Sequence, residues 1–270
     1  RREDYVPGAI AAGCDMFLFF NNMEEDFNFM MNGYKKGVIT EERMKDALRR
    51  ILGLKAKLHL PERKENGTLL KSSEELSVIG CKEHLEWQRE AAERGITLVK
   101  DTQNNLPINP VDHKRVRLYY LDGEKGGIIA NDDSVLNRYV DELTARGYEV
   151  TVNDGNSRIK GRTLEYREQV DLALVVANVI GYGAQNNYRI QWKTAMSNEV
   201  PWYVHEAPTV FVSTNFTTHL HDATMVKTFI NAYHGNENSV KAVIDKLEGK
   251  SEFKGRANDL VWTDKWQAKL

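Results

Sequence analysis

Cysteine is nearly absent from this 270-residue chain, with only Cys14 and Cys81, far apart in sequence. That excludes a disulfide framework. Both sit in apolar surroundings, so free buried thiols and a reducing, cytoplasmic setting are the expectation. No charge sign dominates: 37 Lys and Arg face 39 Asp and Glu, for a net charge of −2. Neither nucleic acid nor an anionic membrane surface is therefore an expected partner. No stretch approaches the roughly 18 apolar residues that a bilayer span requires. No signal peptide is visible, but Arg1 is not a natural start, so that absence says little about the intact protein. Internal repeats and low-complexity segments are also lacking.

What is present is ordinary for a globular chain: 41% apolar and 28% charged residues, enough for one large or two small domains. The opening is the most structured-looking stretch. Ala9 to Ala12 suit a helix end, Gly13 a left-handed stop, and Met16 to Phe20 an unbroken apolar strand covered on both faces. Phe27, Met30, Met31 and Tyr34 recur at helical spacing until Gly37. Thr40 is an N-cap, with Glu41 and Glu42 in the first turn, and Met44, Ala47, Leu48, Ile51 and Leu52 form an apolar stripe behind it. Pro61 to Ser73 is polar and reads as a linker.

Beyond it, strands and helices alternate, which argues for a largely parallel sheet covered on both faces. A helix over 83–94 leads to a strand at Ile96–Val99. Further strands are expected at Val116–Leu121, Tyr148–Val152, Asp171–Ala177 and Thr209–Ser213, with helices at Val135–Arg146 and Asn236–Leu247. Asp171–Ala177 is the most apolar and is placed centrally. Val226–Tyr233 could hold a short helix, a strand or both.

Two segments carry a family resemblance. Ala12-Gly13-Cys14-Asp15-Met16, followed by Arg50-Ile51-Leu52-Gly53-Leu54-Lys55, resembles glycoside hydrolase family 3, closest to its β-N-acetylhexosaminidase and β-glucosidase-like branch. Ala92-x-x-x-Ile96-x-Leu98-Val99-Lys100, with Leu106-Pro107-Ile108, resembles the entry to that family's second domain. The resemblance implies an α/β fold: residues 1–60 as the last strand–helix unit of a (β/α)8 barrel, 61–76 a linker, 77–252 a three-layer α/β/α sandwich and 253–270 a tail. It implies a retaining β-glycosidase that acts on terminal β-linked sugars and needs no cofactor. The family's nucleophilic aspartate lies upstream, in a segment these residues do not contain, and so does the histidine–aspartate acid/base pair of the hexosaminidase branch. A β-glucosidase, or a non-catalytic sugar-binding or assembly module, are the alternatives.

Candidate substrate contacts follow. The loop after the central strand runs Gly181-Tyr182-Gly183-Ala184-Gln185-Asn186-Asn187-Tyr188-Arg189-Ile190-Gln191-Trp192. Loops at the carboxyl ends of parallel strands face the ligand crevice. Gln185, Asn187 and Arg189 could bond sugar hydroxyls and Trp192 could stack on a pyranose; a solvated polar loop is the plain alternative. The resemblance implies a Glu-Gly-x-Asp-Arg type sequence here; Arg189 is retained, but Asn186 and Asn187 replace the acids. Asp15, near the barrel's active face by resemblance, could touch substrate or simply bond backbone amides.

Other chemistries are weaker. Gly181-x-Gly183 lacks a third glycine at Asn186, so a dinucleotide site is not expected. There is no Gly-x-Ser-x-Gly nucleophile elbow. His219 and His221 could share a face, yet no third ligand lies nearby, and Asp222 could cap a following helix. Trp262 and Trp266 suggest docking of the tail on another surface: the barrel, or a second subunit.

Overall fold

The computed structural model describes residues 1–122, 134–153, 163–179, 189–190, 192, 202–262 and 269. The chain divides into two compact units, Arg1–Ile79 and Gly80–Leu270.

The first unit is helical. α1 (Arg2–Ala11), α2 (Met23–Lys35), α3 (Glu41–Lys57) and α4 (Leu60–Glu65) follow in order. Local chemistry sets their ends. Asn22 accepts from Glu25 N at 3.0 Å to start α2, and Thr40 accepts from Arg43 N at 3.1 Å to start α3. Gly13, after α1, has φ +117° and Gly37, after α2, +76°, where a side chain would be strained. α1 and α2 touch through Gly33, whose missing Cβ would lie 2.3 Å from Pro7 Cβ. A buried fork joins the same pair: Arg2 Nε and Nη2 donate to Asp26 Oδ1 and Oδ2 at 2.6 and 2.5 Å.

Two expectations for this part need correction, the strand at Met16–Phe20 and the buried cysteines. Met16–Phe20 is not a strand. It is irregular, Phe19 has φ +61°, and Met16, Leu18, Phe19 and Phe20 are 61–85% exposed. A strand forms by sharing backbone hydrogen bonds with neighbours, and no strand pairs with this run among the described residues. The apolar stripe of α3 is likewise largely uncovered, with only Ala47 buried. Cys14 is exposed and Cys81 half-buried, both free, because the segment expected to bury Cys14 lacks that cover. The segment read as a linker opens with α4, in whose first turn Pro61 lies, and runs into a 3-10 helix at Glu74–Val78. Proline is favourable in a first helical turn, where its missing N–H costs nothing.

The second unit is built on a six-stranded mixed sheet. Its strands are β1 (Thr97–Asp101), β2 (Arg115–Asp122), β3 (Glu149–Val152), β4 (Leu172–Asn178), β5 (Thr209–Ser213) and β6 (Thr228–Asn231). The order is β1-β6-β5-β4-β2-β3, and only β1 runs antiparallel to its neighbour. β4 is interior and buried at every residue, as its apolar sequence requires.

Alternate residues of β4 serve two cores. Leu172, Leu174 and Val176 join one cluster with Val135, Tyr139 and Leu143 of α6 (Ser134–Ala145) and Val240, Val243 and Leu247 of α8 (Glu237–Leu247). Ala173, Val175 and Ala177 join the other, with Tyr166 of α7 (Thr163–Gln169), Tyr203 and Leu220. Tyr119 stacks on Tyr203 at 4.1 Å there, and its hydroxyl meets that of Tyr166 at 3.1 Å. α5 (Lys82–Gly95) packs beside α8. Val226–Tyr233 resolves to strand, because β6 fills the sheet between β5 and β1. No helix among the described residues is long and apolar enough to cross a membrane.

Candidate functional site

The chain runs from β2 outward to β3, then returns to β4 on the other side of β2. That reversal is a topological switch point, and the carboxyl ends of β2 and β4 open the crevice where such sheets bind ligands. β4 ends there in Asn178, which is buried. Its Nδ2 donates to Tyr120 Oη at 2.9 Å and its Oδ1 accepts from Thr214 Oγ1 at 2.8 Å. Thr214, just past β5, also donates its backbone N–H to Ala177 O at 3.0 Å. These bonds fix the ends of β2, β4 and β5 relative to one another.

Ser213 and His219 lie beside them. Ser213 Oγ is 2.9 Å from Phe216 O and 2.8 Å from His219 Nδ1. A hydroxyl has one proton. If it goes to the carbonyl, Nδ1 must be the protonated ring nitrogen and donates to the serine. In that tautomer the histidine holds the serine in place. His219 begins a short 3-10 helix, His219–His221. Among the described residues, no group of three or more His, Cys, Asp and Glu could hold a metal ion.

Asp222 follows that turn, and here the expectation of a helix cap needs correction. Its carboxylate accepts from Arg189, through Nε and Nη2, and from Ile190 N at 3.0 Å. It thus grips the chain at Arg189 and Ile190. The carboxylate is 7% exposed and the Arg189 side chain 52%. The hydrogen bond and charge of Asp222 raise the Arg189 guanidinium above its ordinary value, so it is a permanent cation with an open outer edge. Sequence reasoning missed this partner because the two residues are distant in the chain and meet only through the sheet.

The candidate substrate contacts are thus distributed. Arg189 stands on Asp222, and Trp192 is half-buried against the second core cluster, to which Ile190 also belongs. Gln185 and Asn187, with the rest of 181–188, lie outside the described residues, as does Trp266. Asp15 belongs to the first unit. It is paired with Arg43, and with Arg50 at 3.6 Å, and Arg43 also holds Asp46 at 2.5 Å. Hydrogen bonding to Asp15, against the cost of burial, raises the Arg43 guanidinium. A carboxylate so engaged serves first as a brace between the end of α1 and α3.

No family model matches the chain. A curated Cellulomonas fimi protein named beta-N-acetylglucosaminidase/beta-glucosidase is 37% identical over 275 residues, covering 100% of this chain and 48% of that protein. Among solved structures, one titled beta-glucoside phosphorylase BglX is similar at TM-score 0.77 and 35% identity, over 99% of this chain and 47% of the other. A glycoside hydrolase family 3 beta-N-acetylglucosaminidase from Paenibacillus sp. shares the fold at TM-score 0.55 and 17% identity, over 94% and 47%. The chain therefore spans about half the length of the relatives it matches.

Proposed function

We infer, from a chain with the glycoside hydrolase family 3 fold, that these residues form the C-terminal part of a retaining β-glycosidase for terminal β-linked glucosides or N-acetylglucosaminides. The observation that carries this reading is identity of 37% along the whole chain with a protein bearing those two substrate names. Retaining hydrolysis needs a nucleophilic carboxylate and an acid about 5 Å apart. Asp15 is held by Arg43 and Arg50, which also hold Asp46, so both carboxylates are engaged in one ion-pair cluster. We place the nucleophile and the acid/base on a segment upstream of Arg1. That segment would complete a barrel in which Met16–Phe20 becomes the strand its sequence specifies. The second unit, an α/β/α sandwich, would supply the rim. Arg189, fixed by Asp222, donates to sugar hydroxyls; Trp192 stacks on the ring; Gln185 and Asn187 complete the polar contacts.

A second reading concerns the acceptor, and the 35%-identical structure titled as a phosphorylase favours it. A glycosyl ester on the upstream aspartate could be opened by water or by inorganic phosphate. In either case the C1–O bond to the enzyme breaks as the new C1–O bond forms. The test is release of nitrophenol from the β-glucoside and the β-N-acetylglucosaminide, by these 270 residues and by the same chain extended upstream, with and without phosphate. Activity is expected only in the extended chain, and acceleration by phosphate would select the phosphorylase. Turnover by the 270 residues alone would overturn the assignment of the catalytic groups.

A further inference from the structure

We propose that an open groove on the outer face of α5 is a second saccharide-binding platform, separate from the Arg189 loop. It is lined by Trp87, Glu90, Ala91, Arg94, Gly95 and Lys254 and has a volume of about 710 Å³ open to solvent.

Trp87, Glu90, Ala91 and Arg94 fall at helical spacings of three and four and share one stripe. The other side of α5 is tied to the sheet unit: Ala92 packs on the core, Glu93 meets Lys246, and exposed Gln88 accepts from Asn238. The outer stripe is thus held at a set angle by these contacts. Trp87 is 55% exposed and lies against the His84 ring, with centroids 5.3 Å apart. Ala91 and Gly95 keep the floor low beside the indole. Arg94 Nη1 donates to Glu90 Oε1 at 2.9 Å, so a donor and an acceptor are presented together.

The far wall is also fixed. Lys254 comes from the tail, which is anchored on both sides of it. Glu252 O accepts from buried Lys246 at 2.7 Å, and Gly255 N donates to Ile96 O at 3.3 Å. Gly255 approaches so closely that a Cβ would sit 2.2 Å from Gly95 O and Thr97 Oγ1.

This chemistry selects a sugar. A β-linked pyranose with equatorial substituents offers a flat C–H face to an indole and hydroxyls at its rim. Those hydroxyls can donate to Glu90 and accept from Arg94 and Lys254. Glu90 is paired with Arg94, so the indole face, and not the charge of the rim, argues for a pyranose.

The experiment titrates the 270-residue chain with cellotetraose and with chitotetraose while following the indole N–H resonances. A saturable shift of the Trp87 signal is expected, with affinity near the millimolar range (about 1 mM). Trp87→Ala should abolish binding at this site. Arg94→Gln, which keeps the platform, should weaken it about tenfold or less. Binding at Trp87 should persist in the Arg189→Ala, Trp192→Ala double variant, which separates this site from the proposed rim. Absence of a saturable Trp87 shift with both sugars would overturn the proposal. So would loss of the shift only in the Arg189→Ala, Trp192→Ala protein, or a Trp87→Ala variant that binds as the wild type does and changes only the oligomeric state.

Discussion

Replacing Lys246 with methionine should destabilise the sheet unit more than any surface change on α8. The Lys246 side chain is wholly buried, while its partner Glu93 keeps 28% of its side chain exposed. The ammonium donates to Glu93 Oε1 at 2.8 Å, Ser251 Oγ at 3.2 Å and Glu252 O at 2.7 Å. One group thereby joins α8, α5 and the tail. Breaking a buried pair by removing one partner costs about 3–5 kcal/mol. Water can recover part of Glu93, and the methionine keeps most of the apolar stem, so the loss should be about 2–4 kcal/mol. For a unit of this size that lowers the melting midpoint by roughly 4–16 °C. All five tryptophans lie beyond residue 79, so their fluorescence follows this unit alone. Glu93→Gln should cost a similar amount, and the double variant less than the sum, with a coupling of about 1.5–3 kcal/mol. Burial raises the Glu93 carboxyl, but the hydrogen bond and charge of Lys246, helped by Ser251, outweigh it and leave it below its ordinary 4.5. A carboxyl depressed on folding stabilises fully above the unfolded value and loses that contribution as pH falls through the folded one. Wild-type stability should therefore fall below about pH 4.5 more steeply than that of Lys246→Met. Additive effects within about 0.5 kcal/mol, or an unchanged acid slope, would refute the reasoning.

Three further outcomes follow from single contacts. Gly255→Ala forces a Cβ into the Gly95 and Thr97 oxygens; a loss of about 1–3 kcal/mol and faster proteolysis of the tail are expected, and wild-type protease resistance would contradict the close approach. Asp222→Ala leaves Ile190 N and the Arg189 guanidinium without their acceptor, at about 1–3 kcal/mol in chemical denaturation; no measurable loss would mean that Asp222 does not anchor this chain segment. Asp26 is held below its ordinary 3.8 by the Arg2 hydrogen bond and a backbone amide, against burial. Its stabilisation should be complete above about pH 3.8 and vanish below the depressed value. The buried Val6 and Ile10 methyl signals report it, and Asp26→Asn should lose at neutral pH what the wild type loses only in acid.

Much of the second unit was legible because its signals are local. The apolar run at 172–177 could only be a strand buried on both faces, and Asn236 before an apolar periodicity could only open a helix. Arg189 stood out as a cation in a loop after that strand. Its partner did not, because Asp222 belongs to another turn and reaches Arg189 only once β4 and β5 lie side by side. Lys246 illustrates the same limit: in sequence it is one more lysine late in a helix, and burial makes it a junction.

The sequence alone determined helix ends, strand candidates, the near absence of cysteine and the family resemblance, because capping, periodicity and composition act between residues close in the chain. Tertiary structure decided which acids and bases pair, where the sheet reverses, and how far the tail reaches along α5. It also decided the state of Met16–Phe20, which has strand composition yet lies exposed and irregular. A strand is completed by the hydrogen bonds of its neighbours, and composition cannot supply them.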